Sequence, residues 1–508
     1  MENKVKILAM YLPQFHRVPE NDMWWGDGFT DWVSTKNAKP LYDGHYQPHV
    51  PQNGNAYDLT DKNTMQWQAD LLNKYGVDGV CIYHYWFKNG RQILEKPAEN
   101  LLQWTDVDMP YCFCWANETW ARSWSNVPNK NVWANTYESK VDVSTNGILL
   151  EQCYGDEQSW KKHFEYLLPF FKDDRYIKID GCPVFVIYKT ADIPCLTEML
   201  AYWNELSKQV GIKGLYIVGA NCNSAKQMGI HAKLRHQPSG SLNKLQTTEK
   251  RLQNQVCLWE YDEVWNQLLS EVPEEKMFFE GFVGYDDTPR RGVEGTVIGN
   301  ASPDKFEQYV SQLIAKSIVY GNELVFLNAW NEWGEGMHLE PDEKYGEQFL
   351  AAISEAKKNY KIYVEKYQCE KENHVRNVQM IELQRLADRN TEYMNLLDRW
   401  MFLRKDNKSV VEWLLQHGYK RVAIYGYGVL GKHLYAELES SSVQVDYVMD
   451  RRRDKIHVNT AVYALSDELP ETDVVLVSIP YYFSEVFTQL REKGIKNIVS
   501  LATVLNEM

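Results

Sequence analysis

Two glutamates three residues apart, Glu332 and Glu335, sit in the run Leu327-Asn328-Ala329-Trp330-Asn331-Glu332-Trp333-Gly334-Glu335-Gly336, directly after the apolar stretch Leu324-Val325-Phe326. One carboxyl can give a proton while the other takes one, which is what making or breaking an acetal bond requires. The indoles of Trp330 and Trp333 offer flat apolar faces of the kind that pack on sugar rings. A single acid here would be explained by the dipole of a helix N-terminus. Two acids, an amide and two indoles closing one strand point instead to chemistry on a carbohydrate.

Similar clusters close other apolar runs, and they supply the candidate substrate contacts. Tyr11, Gln14 and His16 follow the first run, with Trp24, Trp25 and Trp32 soon after. The second run ends in Tyr83-His84-Tyr85-Trp86, the third in Trp115-Ala116-Asn117-Glu118-Thr119-Trp120, and a late one is followed by Tyr285-Asp286-Asp287-Thr288-Pro289-Arg290-Arg291. Asn331 and Trp333 of the opening motif complete the set. Plainer roles exist for some of these residues. His84 can be a satisfied core histidine, Glu118 a loop ion pair, and Asp286 and Asp287 the partners of Arg290 or Arg291. Sixteen of the 18 tryptophans lie at or before Trp333, so the aromatic wealth belongs to this part of the chain.

These residues need a scaffold that brings many strand ends to one place. Apolar runs recur at Lys6-Ile7-Leu8-Ala9-Met10-Tyr11, Gly79-Val80-Cys81-Ile82-Tyr83, Tyr111-Cys112-Phe113-Cys114-Trp115 and Pro183-Val184-Phe185-Val186-Ile187. Leu215-Tyr216-Ile217-Val218-Gly219, a weaker run near Val256-Cys257-Leu258, Met277-Phe278-Phe279-Glu280-Gly281 and Leu324-Val325-Phe326-Leu327 follow. Eight runs alternating with helical patterns predict an α/β fold, a (β/α)8 TIM-type barrel over residues 1–360, with the active site at the carboxyl ends of its strands. An open doubly wound sheet is the alternative, and no glycine-rich loop follows the early runs to support it.

Residues 361–406 read as a helical linker. Met380, Leu383, Ala387, Met394, Leu397 and Met401 form a short heptad stripe that would either pack on the barrel or self-associate into a homodimer. Residues 407–508 read as a small Rossmann-like α/β domain. The strand Arg421-Val422-Ala423-Ile424-Tyr425 leads into a loop with Gly426, Gly428 and Gly431, and a second strand ends at Asp450. Glycines at a helix start with an acid after the next strand are the pattern that seats a nucleotide or nucleotide-sugar.

Bulk properties exclude several classes. A net charge of -14 over 508 residues argues against a nucleic-acid partner. The nine cysteines have no paired spacing and read as reduced thiols, most of them buried. No His, Cys or carboxylate spacing marks a metal site, and the barrel chemistry requires no cofactor. The start lacks a signal-peptide pattern and no run is long enough for a transmembrane segment, so a cytoplasmic location is expected.

Zone 1–360 resembles the WbsX-like glycosyltransferase family, whose barrel is related to glycoside hydrolase family 99. The carriers are Tyr11-Leu12-Pro13-Gln14-Phe15-His16, Trp115-Ala116-Asn117-Glu118-Thr119-Trp120, Gly284-Tyr285-Asp286-Asp287-Thr288, and Asn331-Glu332-Trp333-Gly334-Glu335-Gly336 with Leu339-Glu340-Pro341. The resemblance implies a metal-independent carbohydrate-active barrel of bacterial surface-polysaccharide (O-antigen or capsule type) biosynthesis, acting on a glycan or lipid-linked oligosaccharide. It implies that Glu332 acts as base, through the sugar's own 2-hydroxyl, and Glu335 as acid. Gly334 departs from the family 99 hydrolases, which commonly carry His there. Three readings follow: glycosyl transfer or glycan remodelling, a retaining endo-α-mannosidase-type hydrolase, or a catalytically degenerate glycan-binding protein.

Overall fold

The computed structural model describes residues 5–121, 148–222, 229–245, 251–253, 255–273 and 276–508. The chain divides into two compact units, Met1–Glu372 and Asn373–Met508.

In the first unit eight strands run β1 (Lys6–Tyr11), β2 (Gly79–His84), β3 (Tyr111–Trp115), β4 (Cys182–Ile187), β5 (Tyr216–Ala220), β6 (Ala232–Leu234), β7 (Met277–Phe282) and β8 (Leu324–Asn328). Each pairs in parallel with its sequence neighbours, and β8 returns to β1, so the sheet closes on itself. Leu8 lies opposite Phe326 across the closing seam. Strands in such a barrel are buried on both faces and therefore read as continuous apolar runs. Ile7, Leu8, Ala9 and Met10 are all buried, which is why this pattern was visible. Helices such as Glu157–Lys172, Leu196–Gln209 and Pro303–Tyr320 present apolar faces to the same core.

The sixth strand is not the run near Val256. Val256–Glu260 belongs to a separate four-stranded sheet, parallel to Thr296–Gly299, which in turn pairs with Tyr285–Asp286. The true β6, Ala232–Leu234, is three residues long with Lys233 at its centre. So short a run gives no apolar signal. The side sheet has its own use, because it braces the segment after β7 that carries Asp286 to Arg291.

Lys361–Lys405 is one 45-residue helix. Met380, Leu383, Met394 and Met401 of the predicted stripe are exposed, whereas Leu396, Leu397 and Trp400 pack into the core of the second unit. That unit holds β9 (Arg421–Tyr425), β10 (Gln444–Met449), β11 (Ala461–Tyr463), β12 (Val474–Val477) and β13 (Ile498–Ser500). They form an all-parallel sheet in the order β11-β10-β9-β12-β13, a Rossmann-like arrangement. A Cβ at Gly431 would stand 2.0 Å from the Gly426 carbonyl oxygen, so only glycine allows the helix Val429–Glu439 to start so close to the strand. Among the described residues no helix is long and apolar enough to cross a membrane.

Candidate active site

The chain leaves β8 at Asn328 and turns back on itself. Asn331–Glu332 pairs antiparallel with Met337–His338 around the turn Trp333–Glu335. Gly336 closes that turn at φ 62°, where a Cβ would meet the backbone and side chain of Asp286. The hairpin thus presents Glu332 and Glu335 from a rigid, tightly turned loop at the carboxyl end of a barrel strand.

A single guanidinium joins the two acids. Arg290, from the short helix Thr288–Arg291 after β7, places Nη2 2.9 Å from Glu332 Oε2 and Nη1 2.5 Å from Glu335 Oε1. Nη2 also lies 3.1 Å from Oδ2 of Asp31, which begins the helix Asp31–Asn37 after β1. Three carboxyl groups, one after β1 and two after β8, therefore meet one arginine supplied after β7. Burial pushes Glu332 up to about 8; Arg290 opposes this, while Glu335 and Asp31 add to it. Burial disfavours the charge on Arg290, yet its three acidic neighbours outweigh that and hold it firmly protonated.

These groups form part of the wall of a cavity of about 380 Å³, within the usual size range of small-ligand sites. Of the sequence-derived candidates, Gln14, Trp25, Tyr85, Glu118, Trp120 and Tyr285 line it together with Glu332 and Glu335. Glu118 is ion-paired with Lys189, so it serves as a loop partner and a wall residue at once. Trp120 stands edge-on to Tyr85 with ring centroids 5.1 Å apart. These rings supply the apolar surface expected of a glycan site.

The other candidates lie outside the cavity lining, each for a visible reason. Tyr11 is buried and donates to Gln68 at 2.8 Å. His16 is buried too, and burial pushes its pKa down. His84 is a core histidine: its Nε2 lies 2.9 Å from Nε2 of His163, and burial pushes it down to about 3. Trp115 is buried and donates to the Trp86 carbonyl. Asn117 clasps Lys189, accepting from its amide and donating to its carbonyl.

Asp286 takes His45 at 2.7 Å and Gln47 at 2.6 Å, and Asp287 takes Arg291 at 3.1 Å. Asp287 thus holds Arg291, as one sequence reading allowed, and neither carboxylate holds the Arg290 guanidinium. Burial raises Asp287 to about 6. Asn331 bonds both the amide and the carbonyl of Leu12. Trp333 is buried, donates to Glu340 at 2.7 Å and stacks on His338 at 3.7 Å, and Trp330 is also fully buried. The indoles of the opening motif therefore brace the hairpin, and the aromatic wall comes from elsewhere in the chain.

Sequence reasoning missed Asp31, Arg290, Tyr188 and His236 on the wall. His236 Nδ1 is 3.2 Å from Glu280 Oε2. Burial works against its charge, but Glu280 and the more distant Glu335 and Glu332 raise its pKa. Gly334 also gains a reason. A Cβ there would lie 2.8 Å from both Arg290 Nε and Asp31 Oδ2, so the Arg290–Asp31 pair fills the space a side chain would need.

In the second unit the Gly426 to Gly431 loop is tightly closed. Asp450 accepts from the amides of Tyr427 at 2.8 Å and Arg452 at 2.9 Å, and Ser478 donates to the Gly426 carbonyl. The Asp450 carboxylate braces the loop, where the sequence pattern had offered it to a nucleotide. Elsewhere, His49, His338 and Asp342 bring three potential metal ligands together.

Residues 7–353 match the family model described as Glycosyltransferase WbsX, and the chain belongs to that family. Two curated relatives, both named uncharacterized protein WxcX and from two strains of Xanthomonas campestris pv. campestris, are each 30% identical over 366 residues. Each match covers 69% of this chain and 49% of the relative, so the chain spans about half the length of the curated relatives it matches. Among solved structures, the GH99 endo-alpha-mannosidase from Bacteroides thetaiotaomicron aligns with TM-score 0.43 and 13% identity, covering 71% of this chain and 98% of that one. A glycoside hydrolase-like protein aligns with TM-score 0.43 and 12% identity, covering 70% and 94%.

Proposed function

We propose that this member of the WbsX glycosyltransferase family transfers or remodels glycosidic bonds in the assembly of a bacterial surface polysaccharide, with Glu332 and Glu335 as its chemical pair. The observation that carries the reading is the meeting of both acids on the wall of an aromatic-lined cavity, joined by Arg290. Glu332, whose burial pushes its pKa up, is suited to give a proton to a departing sugar oxygen. That reverses the roles the family resemblance implies. Glu335, more open than Glu332, is the partner that takes a proton from the incoming hydroxyl once substrate draws Arg290 aside.

The lining charge bears on substrate class. Asp31, Glu118, Glu332 and Glu335 face the cavity against Arg290 and His236, so acids outnumber bases. Such a wall suits a neutral, hydroxyl-rich glycan and repels a diphosphate. This same feature favours the second reading, an endo-acting hydrolase of neutral oligosaccharides, over transfer from a nucleotide-sugar bound in the barrel. The test is to delete the gene in its host and complement with wild type, Glu332→Gln or Glu335→Gln. Loss of polymer in both variants with folded protein present supports the reading; unaltered glycan from both removes it. Release of products from α-mannan oligosaccharides by purified chain would establish the hydrolase instead.

A further inference from the structure

Three side chains outside the cavity lining converge beside the Glu332–Glu335 hairpin. His49 Nδ1 is 2.9 Å from His338 Nε2, and His338 Nε2 is 3.9 Å from Asp342 Oδ2. All three potential ligand atoms lie within 4.8 Å of one another. The two stretches are zipped together by backbone: Pro51 bridges Asp342, the Glu343 amide donates to the Val50 carbonyl and the Gln52 amide to the Pro341 carbonyl. His49 is thereby fixed opposite the other two.

The surrounding bonds orient the donors. His338 Nδ1 lies 3.1 Å from the Glu340 carbonyl oxygen. Donation there makes Nε2 the lone-pair nitrogen, the arrangement that outer hydrogen bonds give metal-bound histidines. The ring is held flat against Trp333, 3.7 Å between centroids and 9° between planes. Asp342 Oδ1 accepts from the Tyr345 amide, which leaves Oδ2 for the cluster. Asp342 is 4% exposed, yet among the described residues no lysine or arginine nitrogen reaches it, its one ion-pair partner being His338. Lys344 instead lies over the rings of Tyr46 and Tyr345. A buried carboxylate without a basic partner, facing two imidazoles, is a strong demand for a cation.

We propose that His49, His338 and Asp342 bind a divalent transition ion of the Zn²⁺ class, with water as a further ligand. Two imidazoles and one carboxylate form a donor set that zinc accepts. Bond lengths of about 2.0–2.1 Å to each nitrogen ask the two rings to part by only a few tenths of an ångström. The role is structural. The ion ties the hairpin that carries Glu332 to the loop whose His45 and Gln47 hold Asp286, and Asp286 is four residues from Arg290.

The test uses the full chain, stripped with EDTA and dialysed against Zn²⁺, Mn²⁺, Fe²⁺ or Co²⁺, with bound metal counted by mass spectrometry. One Zn²⁺ per chain is expected, falling at least tenfold in His49→Ala and in Asp342→Asn. Zinc should raise the melting temperature of the wild type, EDTA should reverse the rise, and Asp342→Asn should respond to neither. His338→Ala also removes the stack on Trp333 and can fail to fold, so the near-isosteric Asp342→Asn decides. Less than a tenth of an equivalent of any ion on the wild type, or undiminished zinc in both variants, would overturn the site and leave an imidazole pair joined by a hydrogen bond. Selective retention of Mn²⁺ or Fe²⁺ would overturn the choice of ion.

Discussion

Arg290→Met keeps an unbranched side chain of similar reach and removes the one guanidinium that contacts Asp31, Glu332 and Glu335. Asp31 and Glu332 are buried, and stripping a buried carboxylate of its cation costs about 3–5 kcal/mol. Glu335 is 28% exposed, so solvent screening reduces its share. The expected loss is therefore about 3–5 kcal/mol at pH 8.5, set mainly by the two buried acids. The cost must fall in acid. Arg290 holds the folded-state pKa of Glu332 down, so removing the cation raises it further, and a raised acid binds its proton more tightly folded than unfolded. Stability from such a group is present at low pH and is lost as pH rises through the window between the two values, by about 1.4 kcal/mol per pH unit per group. Urea unfolding followed by tryptophan fluorescence at pH 5.5 and 8.5 measures the difference. In a Glu332→Gln background the cost at pH 8.5 should shrink by at least about 1 kcal/mol, since the pair then couples less. Equal costs at both pH values, or a larger one in acid, would refute Arg290 as the counter-ion.

Three further outcomes follow. Glu332→Gln mimics the protonated acid, so stability at pH 4, below the window in which wild-type Glu332 must hold its proton, should change by less than about 1 kcal/mol, while turnover at neutral pH falls at least about 100-fold. The same variant should flatten the stability–pH profile between about 4.5 and 8, the window over which wild-type Glu332 loses stability as pH rises; an unchanged slope in urea titrations would count against the raised pKa. Gly334→Ala places a Cβ 2.8 Å from Arg290 Nε and Asp31 Oδ2, and calorimetry should register a loss of about 1–3 kcal/mol. Gly431→Ala meets the Gly426 carbonyl at 2.0 Å, a backbone contact that cannot yield cheaply. More than about 3 kcal/mol should be lost from the second unit, visible as early proteolysis after residue 407, and normal resistance there would argue against the close approach.

Seven of the eight barrel strands were legible because burial on both faces forces an unbroken apolar run, as in β1 and β8. β6 was not, since three residues around Lys233 carry no such pattern. At the site, strand-end position identified the two acids and six further residues of the wall. It misjudged the indoles because Trp330 and Trp333 look alike in sequence whether they face a sugar or brace a turn, and only their burial separates the two. Arg290 was visible as a charge but, like Arg291, was offered only as a partner of the nearest acids, Asp286 and Asp287, of which Asp287 does take Arg291. Chain proximity lost to geometry, because His45 and Gln47 had already claimed Asp286. The His49–His338–Asp342 cluster lay beyond reach, as its first member is 289 residues from the second.

Gly334 and Arg290 are best understood as one device. The guanidinium reaches Glu332 and Glu335 across the turn between them, and its Nε lies 2.8 Å from where a Cβ of residue 334 would stand. A side chain at 334 would therefore press on both Arg290 and Asp31 and force them to shift. The arrangement has a chemical consequence. With Arg290 in place, the site holds Asp31, Glu332 and Glu335 around one fixed positive charge, and a ligand must displace at least one of those bonds before either acid can act. Each such bond is worth about 1.5–3 kcal/mol, which must come from contacts a bound glycan makes along the cavity wall. A short oligosaccharide reaching few aromatic residues would leave the acids tied. An extended one reaching Trp25, Tyr85 and Trp120 could release them. Under the proposed function, turnover is expected to rise with the length of the oligosaccharide offered, and equal rates on short and long chains would refute the release of Arg290 by the cavity wall.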